Sequence, residues 1–123
     1  MVIVVDDDDG MRASMRFLLE TEGFEVQDFA SGPALIAAGW PQSAGCAILD
    51  IHMPGMSGLE LLDRLRQSCA ALPVIMITAR PTPANRNRAI SAGALAVLEK
   101  PLDDGQLVAL IRQTLDREPT ART

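Results

Sequence analysis

Hydrophobic positions fall into two alternating patterns along this chain. Short, unbroken apolar runs of strand length alternate with segments in which apolar residues recur every three or four positions. Unbroken apolar runs are typical of strands that are covered on both faces. The runs predict strands at 2–6, 45–50, 73–77 and 95–98, and a weaker strand, suited to a sheet edge, at 25–29.

The segments between these strands have the apolar spacing of helices. Gly23 and Gly93 follow two of them as stop signals, and Pro33 suits a first helical turn. Ser57, with Glu60 three residues later, predicts a capping box at the start of the third helix. The first, third and fourth predicted helices cover 10–22, 58–68 and 83–92. The short second helix begins within 31–33 and ends at 38, and the last helix begins at 103–104.

Five strands alternating with five helices predict the α/β class. Right-handed crossovers between successive strands place them in a doubly wound parallel sheet with helices on both faces. The chain shows no internal repeat and no long linker, which indicates one domain. Ligands of such sheets bind beyond the carboxyl ends of the strands.

Polar residues follow or end four of the predicted strands. They are Asp6 at the end of the first and Asp7 just after it, Asp50 at the end of the third, Thr78 after the fourth and Lys100 after the fifth. Charged groups at the ends of buried strands are costly unless they pair or bind a ligand. Because parallel strands end at the same edge of a sheet, we expect these groups to converge on one site there.

Together these groups have the chemistry of a receptor for a phosphoryl group. Asp7 and Asp50 offer the hard oxygen ligands that Mg²⁺ prefers, and a divalent cation relieves the repulsion within an acidic cluster. Lys100 suits a phosphoryl oxygen, and Thr78 adds a hydroxyl hydrogen bond. A carboxylate would serve as the nucleophile.

Other motif interpretations fail on spacing. Asp8 and Asp9 are interpreted as helix N-caps. An EF-hand is excluded, because counting back from Gly10 puts Val5 at its first acidic position. The sequence has no phosphate-binding glycine loop. Its one histidine, His52, has no recognisable nucleophilic serine near it, so a Ser/His/Asp triad has no support.

Composition narrows the functional classes further. The chain has 123 residues, 48% of them hydrophobic, which suits one compact domain. A net charge of −5 argues against direct nucleic-acid binding. No apolar run approaches the ~20 residues of a membrane span, and no signal-peptide pattern is seen, so a soluble, cytoplasmic protein is expected. Cys46 and Cys69 lack metal-ligand spacing and are expected to be buried, reduced thiols.

The chain resembles the receiver domain of bacterial two-component response regulators along nearly its whole length. The matching motifs are Val-Val-Asp-Asp at 4–7, the block at 49–58 around the third-strand aspartate, Ile-Thr-Ala at 77–79, Ala-Gly-Ala at 92–94 and Lys-Pro at 100–101. The resemblance implies the strand order 2-1-3-4-5 of the flavodoxin-like receiver fold. It also implies a receiver domain at 1–117 and a frayed tail or linker stub at 118–123.

The resemblance implies a role for each site residue. Asp50 would be the phosphoacceptor, and Thr78 and Lys100 would bind phosphoryl oxygens. The Lys100–Pro101 bond would be cis, which fits a tight turn. The implied ligands of Mg²⁺ (or Mn²⁺) are Asp7, Asp50, the backbone carbonyl of His52 and, through water, Asp6.

The function implied by this resemblance is signal transduction by phosphorelay. The receiver would take a phosphoryl group from a sensor histidine kinase and catalyse its own phosphorylation and dephosphorylation, without conventional turnover. Implied partners are that kinase, a downstream protein or output domain, and a second copy bound through the face of helix 4, strand 5 and helix 5. The chain itself is expected to contact neither nucleic acid nor membrane.

One position departs from the family pattern and keeps an alternative open. Family members usually carry Tyr or Phe three residues before the lysine, where the ring swings inward as the threonine moves, but this chain has Val97. The alternative is therefore a phosphorylation-independent interaction module. A further alternative, suggested by Asp6 and Asp8, is an aspartate-nucleophile phosphatase of the haloacid-dehalogenase type, although the chain is short for that fold and lacks a cap segment.

Overall fold

Strands and helices alternate along the chain as the sequence predicts. The computed structural model describes residues 1–39, 41–68 and 71–121, and of residues 116–121 only the backbone. The strands are β1 (Val2–Val5), β2 (Val26–Phe29), β3 (Cys46–Asp50), β4 (Val74–Thr78) and β5 (Ala96–Glu99). The helices are α1 (Asp9–Thr21), α2 (Gly32–Ala38), α3 (Gly58–Ser68), α4 (Pro83–Ser91) and α5 (Asp104–Ala121). Helix α5 thus extends into the segment predicted as a tail, and a domain boundary at 117 stays a prediction.

The five strands form one parallel sheet in the order β2-β1-β3-β4-β5. This order confirms the doubly wound fold and places the weak strand β2 at an edge, as predicted. The register at the carboxyl ends pairs Val5 with Phe29 and Leu49, Asp50 with Ile77, and Thr78 with Glu99. The candidate site residues therefore emerge along a single edge of the sheet.

Each face of the sheet carries its own hydrophobic core. Alternate strand residues such as Ile3 and Leu49 pack with α2, α3 and α4 on one face. Their neighbours Val4 and Ile48 pack with α1 and α5 on the other face. Because both faces are covered, every position in β1, β3 and β4 is buried, which accounts for the unbroken apolar runs in the sequence.

Capping side chains begin the helices that frame the site. At α3 the backbone N–H of Ser57 donates to Glu60 Oε1 at 3.0 Å, and the N–H of Glu60 donates to Ser57 Oγ at 3.1 Å, which confirms the capping box. Asp8 caps α1 by accepting a hydrogen bond from the Met11 N–H at 3.0 Å, as predicted. The prediction that Asp9 is also an N-cap is wrong, because Asp9 is already the first helical residue.

The cysteine and membrane predictions are tested only in part. Cys46 is a free, fully buried thiol, and desolvation raises its pKa to about 12, so the thiol stays protonated at neutral pH. The prediction for Cys69 lies outside the described residues. Among the helices of the described part of the chain, none is both long and apolar enough to cross a bilayer.

Candidate functional site

Asp6 follows β1 and is the most deeply buried carboxylate of the site. Its backbone N–H donates to the carbonyl of Phe29 at 3.2 Å, which extends the β1–β2 pairing by one residue. Its side chain is fully buried, and Oδ1 accepts a hydrogen bond from the Asp8 N–H at 2.9 Å. The sheet therefore fixes the backbone of Asp6, and the following turn holds its carboxylate.

Asp50 is the last residue of β3 and is only 4% exposed. Its Oδ1 accepts a hydrogen bond from the His52 N–H at 3.3 Å. Gly58, at the start of α3, lies directly against the Asp50 backbone, with no room for a side chain. The close approach of α3 therefore holds Asp50 at the carboxyl edge of the sheet.

Lys100 follows β5 and joins the two carboxylates. Its Nζ lies 3.2 Å from Asp6 Oδ2 and 3.2 Å from Asp50 Oδ2, and both contacts are ion pairs. Its backbone N–H donates to the Thr78 carbonyl at 2.8 Å, and the Lys100–Pro101 peptide is cis, as predicted. The predicted convergence of β1, β3 and β5 on one site is confirmed for these three charges.

The electrostatics of the site reflect burial and crowding of charge. Burial, and then repulsion from Asp6, raise the pKa of Asp50, although Lys100 opposes the shift. Burial disfavours the charged ammonium of Lys100, but attraction to Asp50 and Asp6 outweighs it and raises the lysine pKa. The ammonium therefore stays charged, and it opposes the combined effect of burial and carboxylate repulsion on Asp50 without cancelling it.

Three carboxylates of the site have the chemistry of a divalent cation site. One oxygen from each of Asp6, Asp7 and Asp50 lies within 4.8 Å of the others. Asp7 is exposed, whereas the other two are buried. Hard oxygen ligands with one exposed side fit Mg²⁺, which binds one or two carboxylates and keeps several waters.

A pocket of about 440 Å³ opens over these groups. Its lining residues are Asp7, Asp8, Asp50, His52, Ala79, Arg80 and Lys100. Thr78 is fully buried beneath this lining, and its Oγ1 accepts a hydrogen bond from the Arg80 N–H at 3.0 Å. The structure thus places Thr78 at the correct edge, but covered. The His52 carbonyl as a metal ligand stays a prediction.

Two residues that contact the site were not singled out from the sequence. Arg12 binds the backbone carbonyl of Asp6, and Gly58 makes room for the backbone of Asp50. A basic residue near the N-terminus of a helix is disfavoured by the helix dipole, so the position of Arg12 was itself a signal. Gly58 leaves a weaker signal, because a glycine at a helix start has several explanations.

Comparison with known proteins identifies the family of this chain. A family model described as the response regulator receiver domain matches residues 2–112. The transcriptional regulatory protein FixJ of Azorhizobium caulinodans is 42% identical over 116 residues, which cover 94% of this chain and 55% of FixJ. The sensory transduction protein RegX3 of Mycobacterium tuberculosis is 35% identical over 116 residues, covering 94% of this chain and 51% of RegX3.

A solved structure has the same fold as this chain over nearly its whole length. The CheY-like response regulator receiver domain protein from Methanospirillum hungatei superposes with a TM-score of 0.91 at 30% identity, covering 98% of this chain and 96% of that one. The chain spans about half the length of the curated relatives it matches.

Proposed function

This chain belongs to the receiver-domain family of two-component response regulators, and we propose that it accepts a phosphoryl group on Asp50 from a sensor histidine kinase. The observation that carries the proposal is the ammonium of Lys100, 3.2 Å from both Asp6 and Asp50. A charged donor beside a nearly buried carboxylate is suited to gather phosphoryl oxygens next to the nucleophile.

Mg²⁺ (or Mn²⁺) is the cofactor of the proposed reaction. Asp7, Asp50 and the backbone carbonyl of His52 would hold the ion, and Asp6 would bind it through water. The proposal is supported by the carboxylate oxygens within 4.8 Å of one another. When bound, the ion neutralises charge on the phosphoryl oxygens.

Asp50 is the nucleophile of the proposed transfer. One carboxylate oxygen forms an O–P bond while the N–P bond of the kinase phosphohistidine breaks, and the imidazole nitrogen keeps the electron pair of that bond. Lys100 then binds an oxygen of the phosphoryl group on Asp50. Hydrolysis of the acyl phosphate returns the carboxylate, so the domain completes one cycle per phosphorylation instead of acting as a turnover enzyme.

Thr78 is the proposed link from the phosphoryl group to the surface. Its Oγ1 is buried and accepts a hydrogen bond from the Arg80 N–H. To donate its hydroxyl to a phosphoryl oxygen, Thr78 must come out of this covered position and the loop after β4 must shift with it. A phosphoryl group that binds only the shifted arrangement favours it over the resting one.

The setting of the domain is also proposed. The regulator would work in the cytoplasm, with a receiver at 1–117, and its partners would be the sensor kinase and an output domain or separate downstream protein. The face formed by α4, β5 and α5 would bind a second copy of the chain. The length of the curated relatives supports a further domain, because this chain covers 55% of FixJ.

Intact-mass measurement tests the phosphoacceptor. We expect one phosphoryl adduct on the wild-type chain after incubation with acetyl phosphate and MgCl₂. No adduct is expected on Asp50→Asn, or on wild type with excess EDTA. Equal labelling of Asp50→Asn would reject Asp50 as the acceptor, and labelling in EDTA would reject the metal requirement.

A phosphorylation-independent interaction module is a second candidate, favoured by Val97. This side chain is 5% exposed in the core beneath α3 and α4, and it has no ring to exchange between buried and exposed positions. The module predicts the same partner affinity for wild type and Asp50→Asn, with or without acetyl phosphate. An affinity that changes on phosphorylation of wild type alone would exclude it.

A further inference from the structure

Arg12 joins three parts of the chain beside the acidic pocket. Its Nη1 donates to the backbone carbonyl of Asp6 at 2.7 Å, and its Nη2 donates to Asp9 Oδ1 at 2.6 Å. Its Nε lies 3.5 Å from Asp28 Oδ2 on the edge strand β2. The side chain is only 17% exposed, so these contacts are partly shielded from water.

The position of Arg12 in its helix is unfavourable by itself. Helix α1 begins at Asp9, so Arg12 lies near the end of the helix where exposed N–H groups carry partial positive charge. Oxygen acceptors around a guanidinium offset this cost. The three oxygens of Asp6, Asp9 and Asp28 supply that compensation.

The contact with Asp6 acts on the residue that follows it. The carbonyl that Arg12 binds belongs to the peptide group between Asp6 and Asp7. The next peptide group, between Asp7 and Asp8, is held through its N–H by Asp6 Oδ1 at 2.9 Å. Both peptide groups that flank Asp7 are therefore anchored, although its own side chain is exposed.

We propose that Arg12 is a positioning residue for the cation site, because it fixes the backbone from which Asp7 presents its carboxylate. The inference rests on the proposed function, in which Asp7 binds Mg²⁺. Partners that orient metal ligands commonly change metal affinity by roughly 10–100-fold when they are removed.

The sign of the effect separates positioning from simple electrostatics. A nearby guanidinium repels a divalent cation, so its removal would strengthen Mg²⁺ binding if charge alone mattered. If Arg12 positions Asp7, its removal weakens Mg²⁺ binding instead. A loss of fold stability alone does not change the affinity of the folded chain.

Arg16 provides a matched control on the same helix. It binds the same edge-strand residue, with Nη1 2.9 Å from Asp28 Oδ1, and it pairs with Glu20 at 3.2 Å. These two partners, Glu20 and Asp28, lie outside the loop between β1 and α1. Arg16→Gln therefore removes a similar charge and a contact to β2 without releasing the Asp6–Asp7 peptide.

The test is calorimetric titration of the whole chain with MgCl₂, at a temperature where circular dichroism shows each variant folded. We expect Arg12→Gln to bind roughly tenfold more weakly than wild type, and Arg16→Gln to bind like wild type. Arg12→Lys keeps the charge, but its compact ammonium cannot span the oxygens of Asp6, Asp9 and Asp28, which the guanidinium reaches from three separate nitrogens. Its affinity is therefore expected to lie between those of wild type and Arg12→Gln. If Arg12→Gln does not fold, Arg12→Lys takes its place as the test variant.

The outcomes are distinguishable. Unchanged or tighter binding by Arg12→Gln, or equal weakening by Arg16→Gln, would overturn the positioning role while leaving the metal site in place. Wild-type affinity in Arg12→Lys, beside weaker binding by Arg12→Gln, would support positioning through a single cationic donor on the Asp6 carbonyl. If only Arg12→Lys folds, binding tighter than that of wild type would overturn the positioning role. No saturable binding by wild type would reject the metal site itself and this inference with it.

Discussion

Gly58 packs so closely against Asp50 that a Cβ atom at Gly58 would overlap the Asp50 carbonyl oxygen. The same Cβ would stand 2.9 Å from the Cα of Ile51, whose carbonyl accepts a hydrogen bond from the Gly58 N–H at 2.9 Å. The first turn of α3 and the end of β3 thus form one rigid unit behind the proposed phosphoacceptor.

Gly58→Ala is expected to destabilise the fold, because backbone must move to admit the methyl group. We expect a loss of about 1–3 kcal/mol in the free energy of unfolding, measured with urea. Gly105→Ala is the control, since its Cβ would meet only Asp103 Oδ1 at 3.4 Å near the start of another helix. Equal stability of Gly58→Ala and wild type would contradict the tight packing described here.

Asp50→Asn is expected to stabilise the chain in the absence of metal. Burial and repulsion from Asp6 raise the pKa of Asp50, so the folded chain holds that proton more tightly than the unfolded chain does. The ionised carboxylate therefore costs stability above this pKa, and the cost disappears as the pH falls through it.

At neutral pH the Asp50→Asn variant should be more stable than wild type, because asparagine carries no charge to bury beside Asp6. The gain should shrink as the pH approaches the ordinary carboxyl range. Urea unfolding at several pH values measures it, with the exposed Asp63→Asn as a control that should show no gain. A less stable Asp50→Asn at neutral pH would contradict the unfavourable burial of this charge.

Mg²⁺ is expected to stabilise wild type against unfolding. A cation that binds only the folded chain adds about 1.4 kcal/mol at ten times its dissociation constant. Asp7→Asn should lose most of this gain in a thermal unfolding series with MgCl₂. Asp8→Asn should keep it, because asparagine preserves the N-cap of α1. If Asp7→Asn kept the stabilisation by Mg²⁺ and Asp8→Asn lost it, the metal ligand would be Asp8 instead of Asp7.

Arg66 is expected to be a main tether of α4. From α3 its guanidinium donates to the carbonyls of Leu72 at 2.7 Å, Gly93 at 2.9 Å and Ala92 at 3.1 Å. Arg66→Met should cost about 2–3 kcal/mol in urea unfolding, because it leaves carbonyls at the end of α4 without this charged donor. The exposed Arg64→Met on the same helix should change stability by no more than about 0.5 kcal/mol. Similar losses in both variants would contradict a specific tether.

The elements and the location of the site were predictable because both leave local patterns in the sequence. Each core strand is covered on two faces and so reads as an unbroken apolar run, and the polar residues at the strand ends stand out against it. The Ser57–Glu60 capping box lies within one helical turn and was equally visible.

Contacts between distant segments were not predictable in the same way. Arg66 binds Ala92 and Gly93, 26 and 27 residues later in the chain, and no periodicity signals such a pair. Asp9 was assigned as an N-cap because its residue type suits a cap, but Asp8 occupies that position and Asp9 pairs with Arg12 instead. Residue type alone does not decide which of two neighbouring aspartates lies just before the helix.

Chemical mapping of the phosphoryl group tests the central claim most directly. Sodium borohydride reduces an aspartyl phosphate to homoserine, which tandem mass spectrometry locates in the peptide sequence. After incubation with acetyl phosphate and MgCl₂, we expect homoserine at position 50 and unmodified aspartate at Asp6 and Asp7. Homoserine at Asp6 or Asp7, with Asp50 unmodified, would contradict the assignment of Asp50 as the phosphoacceptor.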